Sequence, residues 1–254
     1  MMVSNAGAVD LDAFYSEATI AEWQAIIGPN LHYHFGYFQE QKTLEDGLQD
    51  AVRRFYPWLP IGAHVLDLGC GWGGPARLLM ADRNCTVQGV TISAAQAAYC
   101  RQLGLAVHHC NMETAPLDGT YDAIFMLEVL SHITDKRALL QRLRQVTPRL
   151  LLTVNCVANG YQGQRMAFGA SMTLCSQAEL VNDLEAAGWR IQFLENRRLQ
   201  SLPTLLHWKQ NFDQRYGTQP PPGQLAMLRG LTDTALAAVI PWCQAFPLID
   251  IVAE

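Results

Sequence analysis

Residues 65–74 read Val-Leu-Asp-Leu-Gly-Cys-Gly-Trp-Gly-Gly, so a carboxylate stands two positions before the first of four closely spaced glycines. The apolar run Val65 to Leu68 suits a buried strand, and Pro75-Ala76-Arg77-Leu78-Leu79 suits the opening of a helix. A strand that passes through glycines into a helix leaves backbone N–H groups unpaired and lets a ligand approach the main chain closely. Asp67 would repel a phosphate there and would hold a ligand with a cationic amino-acid head. The glycine spacing alone also comes close to a dinucleotide fingerprint, which wants an acid at the end of the second strand for the ribose diol. That strand, VQGVTIS over 87–93, ends in Thr91 with no carboxylate. The dehydrogenase reading weakens accordingly.

A second constellation, Glu128-Val129-Leu130-Ser131-His132, follows the apolar run 121–127 directly. A carboxylate there can stabilise a developing cation and take up a proton, and a histidine can act as a base near neutral pH. His32 and His34 face the same side only if their segment is extended, and no carboxylate partner is evident, so packing or substrate contact is expected rather than a metal. The seven cysteines at 70, 85, 100, 110, 156, 175 and 243 show no CxxC spacing. Their odd number within apolar segments suggests reduced, mostly buried thiols and no zinc site.

The elements that position these residues alternate from residue 63 onward. Strands are expected at 63–68, 85–91, 105–109, 121–127, 149–156 and 189–195. Helices are expected at 74–82, 93–103 and 134–146, and a capping box at Ser176-Gln177-Ala178-Glu179 opens a helix to about 187. Buried strands separated by helices imply a parallel sheet covered on both faces, with ligands at the C-terminal strand ends. The fold expected is α/β, a Rossmann-like doubly wound, mostly parallel seven-stranded sheet. Outside it, helices are expected over 10–27, 43–58, 203–216 and 223–240, and a last strand over 247–252. The division expected is an N-terminal helical cap (1–60), a core (61–198) and a C-terminal cap with the last strand (199–254), all in one structural domain.

Composition narrows the partners. Half of the 254 residues are hydrophobic and the net charge is −5, with only three lysines, so no basic stripe for nucleic acid is present. No apolar run approaches the roughly 20 residues of a membrane span. The start lacks the pattern of a secretory signal. The expectation is a cytoplasmic monomer or homodimer acting on a small molecule.

Several segments in order, VLDLGCGWGG, GVTISAAQ (89–96) and CNME (110–113), resemble the class I S-adenosylmethionine-dependent methyltransferases. The closer likeness is to the branch with cyclopropane fatty acid synthases, sterol and tocopherol methyltransferases and geranyl diphosphate C-methyltransferases. That last group shares a HYHFG-like segment, here His32 to Gly36, and a late LPxxxxW, here Leu202 to Trp208. The resemblance implies S-adenosyl-L-methionine as cofactor and S-adenosyl-L-homocysteine as product. It places Asp67, Gly69, Cys70 and Gly71 around the methionine moiety, with Tyr33 closing over its carboxylate. Thr91 and Gln96 would bond the ribose hydroxyls beside Ile92, and Met112 would lie against adenine. Asn111, Glu113 and Leu127 would complete that end.

Glu128 and His132 correspond to an active-site carboxylate and histidine of relatives, and make the catalytic pair expected here. His34, Phe35, Trp72, Tyr161, Arg165 and Trp208 are the expected substrate pocket, within an aromatic set that could hold a cationic or apolar acceptor. Cyclopropane synthases hold a bicarbonate base with a cysteine and a glutamate, whose places are Phe35 and Ser131 here. Simple methylation of a natural-product or isoprenoid-like acceptor is therefore favoured over ring closure. Mg2+ is implied only for a diphosphate acceptor, for which Lys209 or Arg197 would be the available cations. An N- or O-methyltransferase of an amino-acid-like acceptor is the other alternative, and a cofactor-binding protein without turnover is a third.

Overall fold

A computed structural model describes residue 15 and residues 17–40, 42–167 and 172–254. Of the helix expected over 10–27, residues 10–14 and 16 lie outside the described residues, and Ile20–Ile27 forms α1. Its start is fixed by a reciprocal capping box. Thr19 Oγ1 accepts from the Glu22 N–H, and the Glu22 carboxylate accepts from the Thr19 N–H. The helix expected over 43–58 is shorter, with α2 ending at Arg53 after starting at Leu44. Pro57 has no N–H to give the Arg53 carbonyl, so the chain tightens into a 3-10 turn over Tyr56–Trp58.

The core follows as β1 (His64–Leu68), α3 (Gly74–Arg83), β2 (Thr86–Thr91), α4 (Ala94–Gln102), β3 (Ala106–His109), β4 (Ala123–Leu127), α5 (Lys136–Leu143) and β5 (Leu150–Asn155). A two-residue hairpin, β6 (Met166–Ala167) with β7 (Met172–Thr173), precedes α6 (Gln177–Ala186) and β8 (Ile191–Asn196). The main sheet has the order β3-β2-β1-β4-β5-β9-β8, where β9 is Leu248–Ala253. β9 runs antiparallel to both β5 and β8, and the other neighbouring pairs are parallel. The strand order reverses between β1 and β4, so the C-terminal ends of these two strands flank the switch point where ligands bind in such sheets.

Alternation along each strand divides the core. Leu66, Leu68, Ile124, Met126, Leu150 and Leu152 pack with α5 and α6 residues on one face, and Val65, Val87, Phe125 and Leu151 pack under Leu79 and Ala97 on the other. A third cluster joins the expected N-terminal and C-terminal caps: Trp23, Ile26, Phe35, Leu48, Trp208 and Phe212 pack together. α7 spans Arg198–Tyr216, beginning five residues before Pro203, because the Asn196 Oδ1 accepts the Arg198 N–H and lets the helix start there. The helix expected over 223–240 is two, α8 (Gly223–Ala237) and α9 (Val239–Ala245). Pro241 cannot serve the Ala237 carbonyl, and the break falls between them.

Candidate active site

The glycine turn after β1 is tied to the end of β2, since Gly69 and Cys70 both donate their N–H groups to the Val90 carbonyl, at 2.8 and 3.0 Å. Gly69, Gly71 and Gly73 all have positive φ, at 82, 53 and 79°, a conformation that side chains with a Cβ rarely adopt. A Cβ on Gly71 would meet nothing nearer than Gln96 Nε2 at 4.0 Å, which leaves an open cradle over that peptide. Cys70 turns its thiol inward to the core, so it offers only backbone to the cradle. Asp67 is 3% exposed and its Oδ2 has no hydrogen-bond partner among the described residues. Burial alone pushes its carboxyl up to about 7. An unpaired buried carboxylate oxygen is rare in folded proteins, and it calls for a donor from outside the chain.

Thr91 and Gln96, expected at the ribose hydroxyls, bond each other at the end of β2. The Thr91 hydroxyl donates to Gln96 Oε1 at 2.7 Å and accepts the Ser93 N–H at 3.2 Å. Thr91 thus orients Gln96, whose Nε2 is left beside the cradle. Ile92 is partly exposed next to them, its carbonyl 3.0 Å from His109 Nε2.

Across the site, Asn111 Oδ1 accepts the Glu113 N–H at 2.9 Å and shapes the turn that presents buried Met112. Glu113, expected near the adenine edge, faces the 134–135 loop. Its carboxylate accepts the Thr134 N–H at 3.0 Å and the Asp135 N–H at 3.4 Å, so it joins two loops. Arg142 fastens the same turn by donating to the Met112 and Glu113 carbonyls. Leu127 is half-buried at the end of β4.

Glu128 follows β4 in the left-handed region, φ 60°, and its N–H donates to the Thr153 carbonyl at 2.7 Å. Strain of this kind costs of order 1–3 kcal/mol and gathers at functional positions. The carboxylate accepts the Phe35 N–H on Oε1 at 2.6 Å and Asn155 Nδ2 on Oε2 at 2.8 Å. Burial raises its proton affinity, while Arg197, the Phe35 N–H, Asn155 and Arg198 act in the opposite direction. His132 closes the 3-10 turn Leu130–His132 and is half-buried four residues on. Ser131 is buried with its hydroxyl unpartnered among the described residues.

Behind Glu128 lies an ionic hub. Arg197 and Asp250, each 1% exposed, pair at 2.8 Å, and Asp250 also accepts from Arg54 Nε at 3.0 Å and the Thr153 hydroxyl at 2.8 Å. Arg197 Nη1 donates to the Gly36 carbonyl at 2.8 Å, which anchors the same N-terminal strap whose Phe35 amide holds Glu128. Asn155, Arg198 and Asp250 are the residues that sequence reading missed. A lone acid in the apolar run Leu248-Ile249-Asp250-Ile251-Val252 was the available signal, because burying a carboxylate is costly unless a charge or hydrogen bonds compensate it. Arg197 supplies the compensating cation.

The expected substrate pocket is largely a packed core. Trp72 is 2% exposed and meets Trp23 and Tyr99 at ring-centroid distances of 6.1 and 5.7 Å, so it wedges the glycine turn against the cap. Trp208 packs on Phe35 at 5.3 Å in the same cluster. His34 and His32 are buried against each other, Nε2 to Nδ1 at 3.3 Å, and burial depresses both to about 3, which keeps them neutral. Tyr33 packs edge-on to Trp23 and accepts from Gln224 Nε2 at 3.0 Å, linking the strap to α8. Tyr161 packs on Phe246, and Arg165 pairs with Glu179 at the start of α6. The faces of Phe35 and Trp242 carry a cation already, the Arg198 guanidinium at 4.6 and 4.4 Å, so these rings cannot cage a cationic acceptor as expected.

Comparison with known proteins follows the same outline. The chain is 32% identical over 139 residues to a 2-methyl-6-phytyl-1,4-hydroquinone methyltransferase of Synechocystis, covering 48% of this chain and 43% of that one. It spans about half the length of the curated relatives it matches. The fold superposes on a cyclopropane synthase from Mycobacterium tuberculosis with a TM-score of 0.81 at 17% identity, covering 96% of this chain and 97% of that one. It also superposes on a geranyl diphosphate C-methyltransferase from Streptomyces coelicolor, with a TM-score of 0.70 at 16% identity and 96% of each chain covered. At these identities the superpositions establish the fold alone. The family assignment comes from residues 39–217, which match the profile described as a methyltransferase domain, and the chain belongs to that family.

Proposed function

We propose that this chain transfers a methyl group from S-adenosyl-L-methionine to a small-molecule acceptor presented to Glu128. The observation that carries the reading is the orphaned Asp67 carboxylate beside an open glycine cradle, within a chain of the methyltransferase-domain family. Asp67 would hold the cationic amino group of the methionine moiety, the Gly69–Gly71 turn would admit its chain, and the Gln96 amide would meet the ribose diol. Bound there, the sulfonium supplies an electrophilic methyl group for in-line displacement. The protein's own work is then alignment and exclusion of water. The strap 30–38 supports both, lying over the glycine turn so closely that a Cβ on Gly74 would stand 2.8 Å from the Asn30 carbonyl oxygen.

Glu128, held by two N–H donors, would as a carboxylate stabilise positive charge developing on the acceptor and accept the proton that leaves after methyl transfer. His132 would serve as the base for a hydroxyl or amine nucleophile. A diphosphate acceptor fits the site less well. Lys209 pairs with Asp213 and Arg197 with Asp250, so both cations considered for a diphosphate are engaged. Screening acceptors with radiolabelled methyl donor, with and without Mg2+, tests the reading. Transfer to an uncharged natural-product acceptor without Mg2+ supports it, and transfer confined to prenyl diphosphates with Mg2+ replaces it with the isoprenoid alternative.

A further inference from the structure

Arg198 is a buried cation without an ion pair. It is 2% exposed, and no carboxylate lies within ion-pair distance of it among the described residues. Its guanidinium is gripped instead by neutral groups. Nε donates to the Phe246 carbonyl at 2.7 Å, Nη1 to Ser201 Oγ at 3.4 Å and Nη2 to Asn155 Oδ1 at 2.7 Å, and the guanidinium lies over the Phe35 and Trp242 rings. Burying a charge in this way is costly unless another charge compensates it nearby.

The nearest compensation runs through Asn155. Because Arg198 can only donate, it fixes the Asn155 amide with its oxygen toward Arg198 and its Nδ2 toward Glu128. Asn155 can then only donate to Glu128. The Phe35 N–H does the same on the other carboxylate oxygen. Both donors bind the carboxylate more strongly than the acid, so they oppose the rise in proton affinity that burial causes at Glu128. The other charged and titratable groups facing Glu128 are Arg197, committed to Asp250, and Tyr33, a neutral phenol held by Gln224.

We infer that Arg198, acting through Asn155, is the positioning residue that keeps Glu128 an oriented carboxylate toward the acceptor. The inference rests on the reading of Glu128 as the acceptor-side carboxylate. The Phe35 and Trp242 faces hold the guanidinium without neutralising it, so its charge remains available to Glu128.

The test is the titration of Glu128 itself, followed by carbon-13 NMR of glutamate side-chain carboxyls in the intact protein, with the resonance assigned by its loss in E128Q. In R198M the pKa of Glu128 is expected to rise by about one unit or more, the usual effect of an opposite charge at short range. N155A is expected to shift it in the same direction and serves where R198M does not fold. R198K, which keeps the charge, is expected to restore most of the wild-type value. An unchanged Glu128 titration in folded R198M or N155A overturns the inference. The underlying reading fails separately: E128Q turning over an acceptor at the wild-type rate removes Glu128 from the chemistry whatever its titration shows.

Discussion

Gly69 lies against Val129 so closely that a Cβ at position 69 would stand 2.5 Å from Val129 Cγ2. The turn that follows β1 and the turn that follows β4 are therefore one packed unit, with Asp67 entering it from one strand and Glu128 from the other. G69A should strain a residue at φ 82° and push the Glu128 turn aside at once. The expected cost is at least about 2 kcal/mol of stability, together with loss of both donor binding and turnover. Urea denaturation and calorimetry on the same variant check it, and a folded G69A that binds donor normally would separate the two turns.

Glu128 should matter to the reaction and little to donor affinity. E128Q is expected to lower kcat by about 10²- to 10⁴-fold, the range for loss of a positioned acid–base group, with the Kd for S-adenosylhomocysteine moving only a few-fold. Comparable losses in both quantities would make Glu128 a structural tie between β4 and the strap.

Asp67 should trade stability for binding. Its folded pKa is about 7, above the ordinary value of 3.8, so the folded protein holds a proton that the unfolded chain releases between these values. Stability of the ligand-free protein should therefore fall as pH rises from about 4 to about 7, by up to about 4 kcal/mol at 1.36 kcal/mol per unit. D67N should abolish that fall and melt higher than wild type at pH 8, while binding donor more weakly. In the wild type, donor affinity should weaken by up to about tenfold per pH unit below pH 7, as the carboxylate that holds the amino head is protonated. A D67N variant with no gain in melting temperature at pH 8 contradicts the burial argument.

Asp250 should matter to stability through Arg197. D250N leaves a guanidinium that is 1% exposed without its partner. Breaking a buried pair from one side costs about 3–5 kcal/mol, read as a fall in the urea midpoint, and a loss below 1 kcal/mol would mean that Arg54 and the strap carbonyls satisfy the hub unaided.

Most of the sheet was legible because its signals are local. Asp67 and four glycines announced the first turn, Ser176 and Glu179 announced α6, and continuous apolar runs marked the buried strands. Boundaries failed where proline acts at a distance of four residues, as at Pro57 and Pro241. On the expected cofactor side, the sequence could not say that Thr91 orients Gln96 or that Glu113 ties down the 134–135 loop. The acceptor side was less legible still. Phe35, Asn155, Arg198 and Asp250 come from four separate segments, and their partnership exists only once β9 inserts antiparallel between β5 and β8. Trp72 and Trp208 misled because an aromatic side chain lines a pocket or fills a core with the same apolar surface.

The central claim is that the Asp67–Gly71 turn holds a methyl donor, and calorimetric titration of S-adenosylhomocysteine into the wild-type protein at pH 8, paired with D67A, tests it most directly. The account predicts one binding site per chain, a rise in melting temperature on saturation, and loss of at least tenfold in affinity in D67A. No heat of binding and no thermal shift at saturating ligand would contradict it.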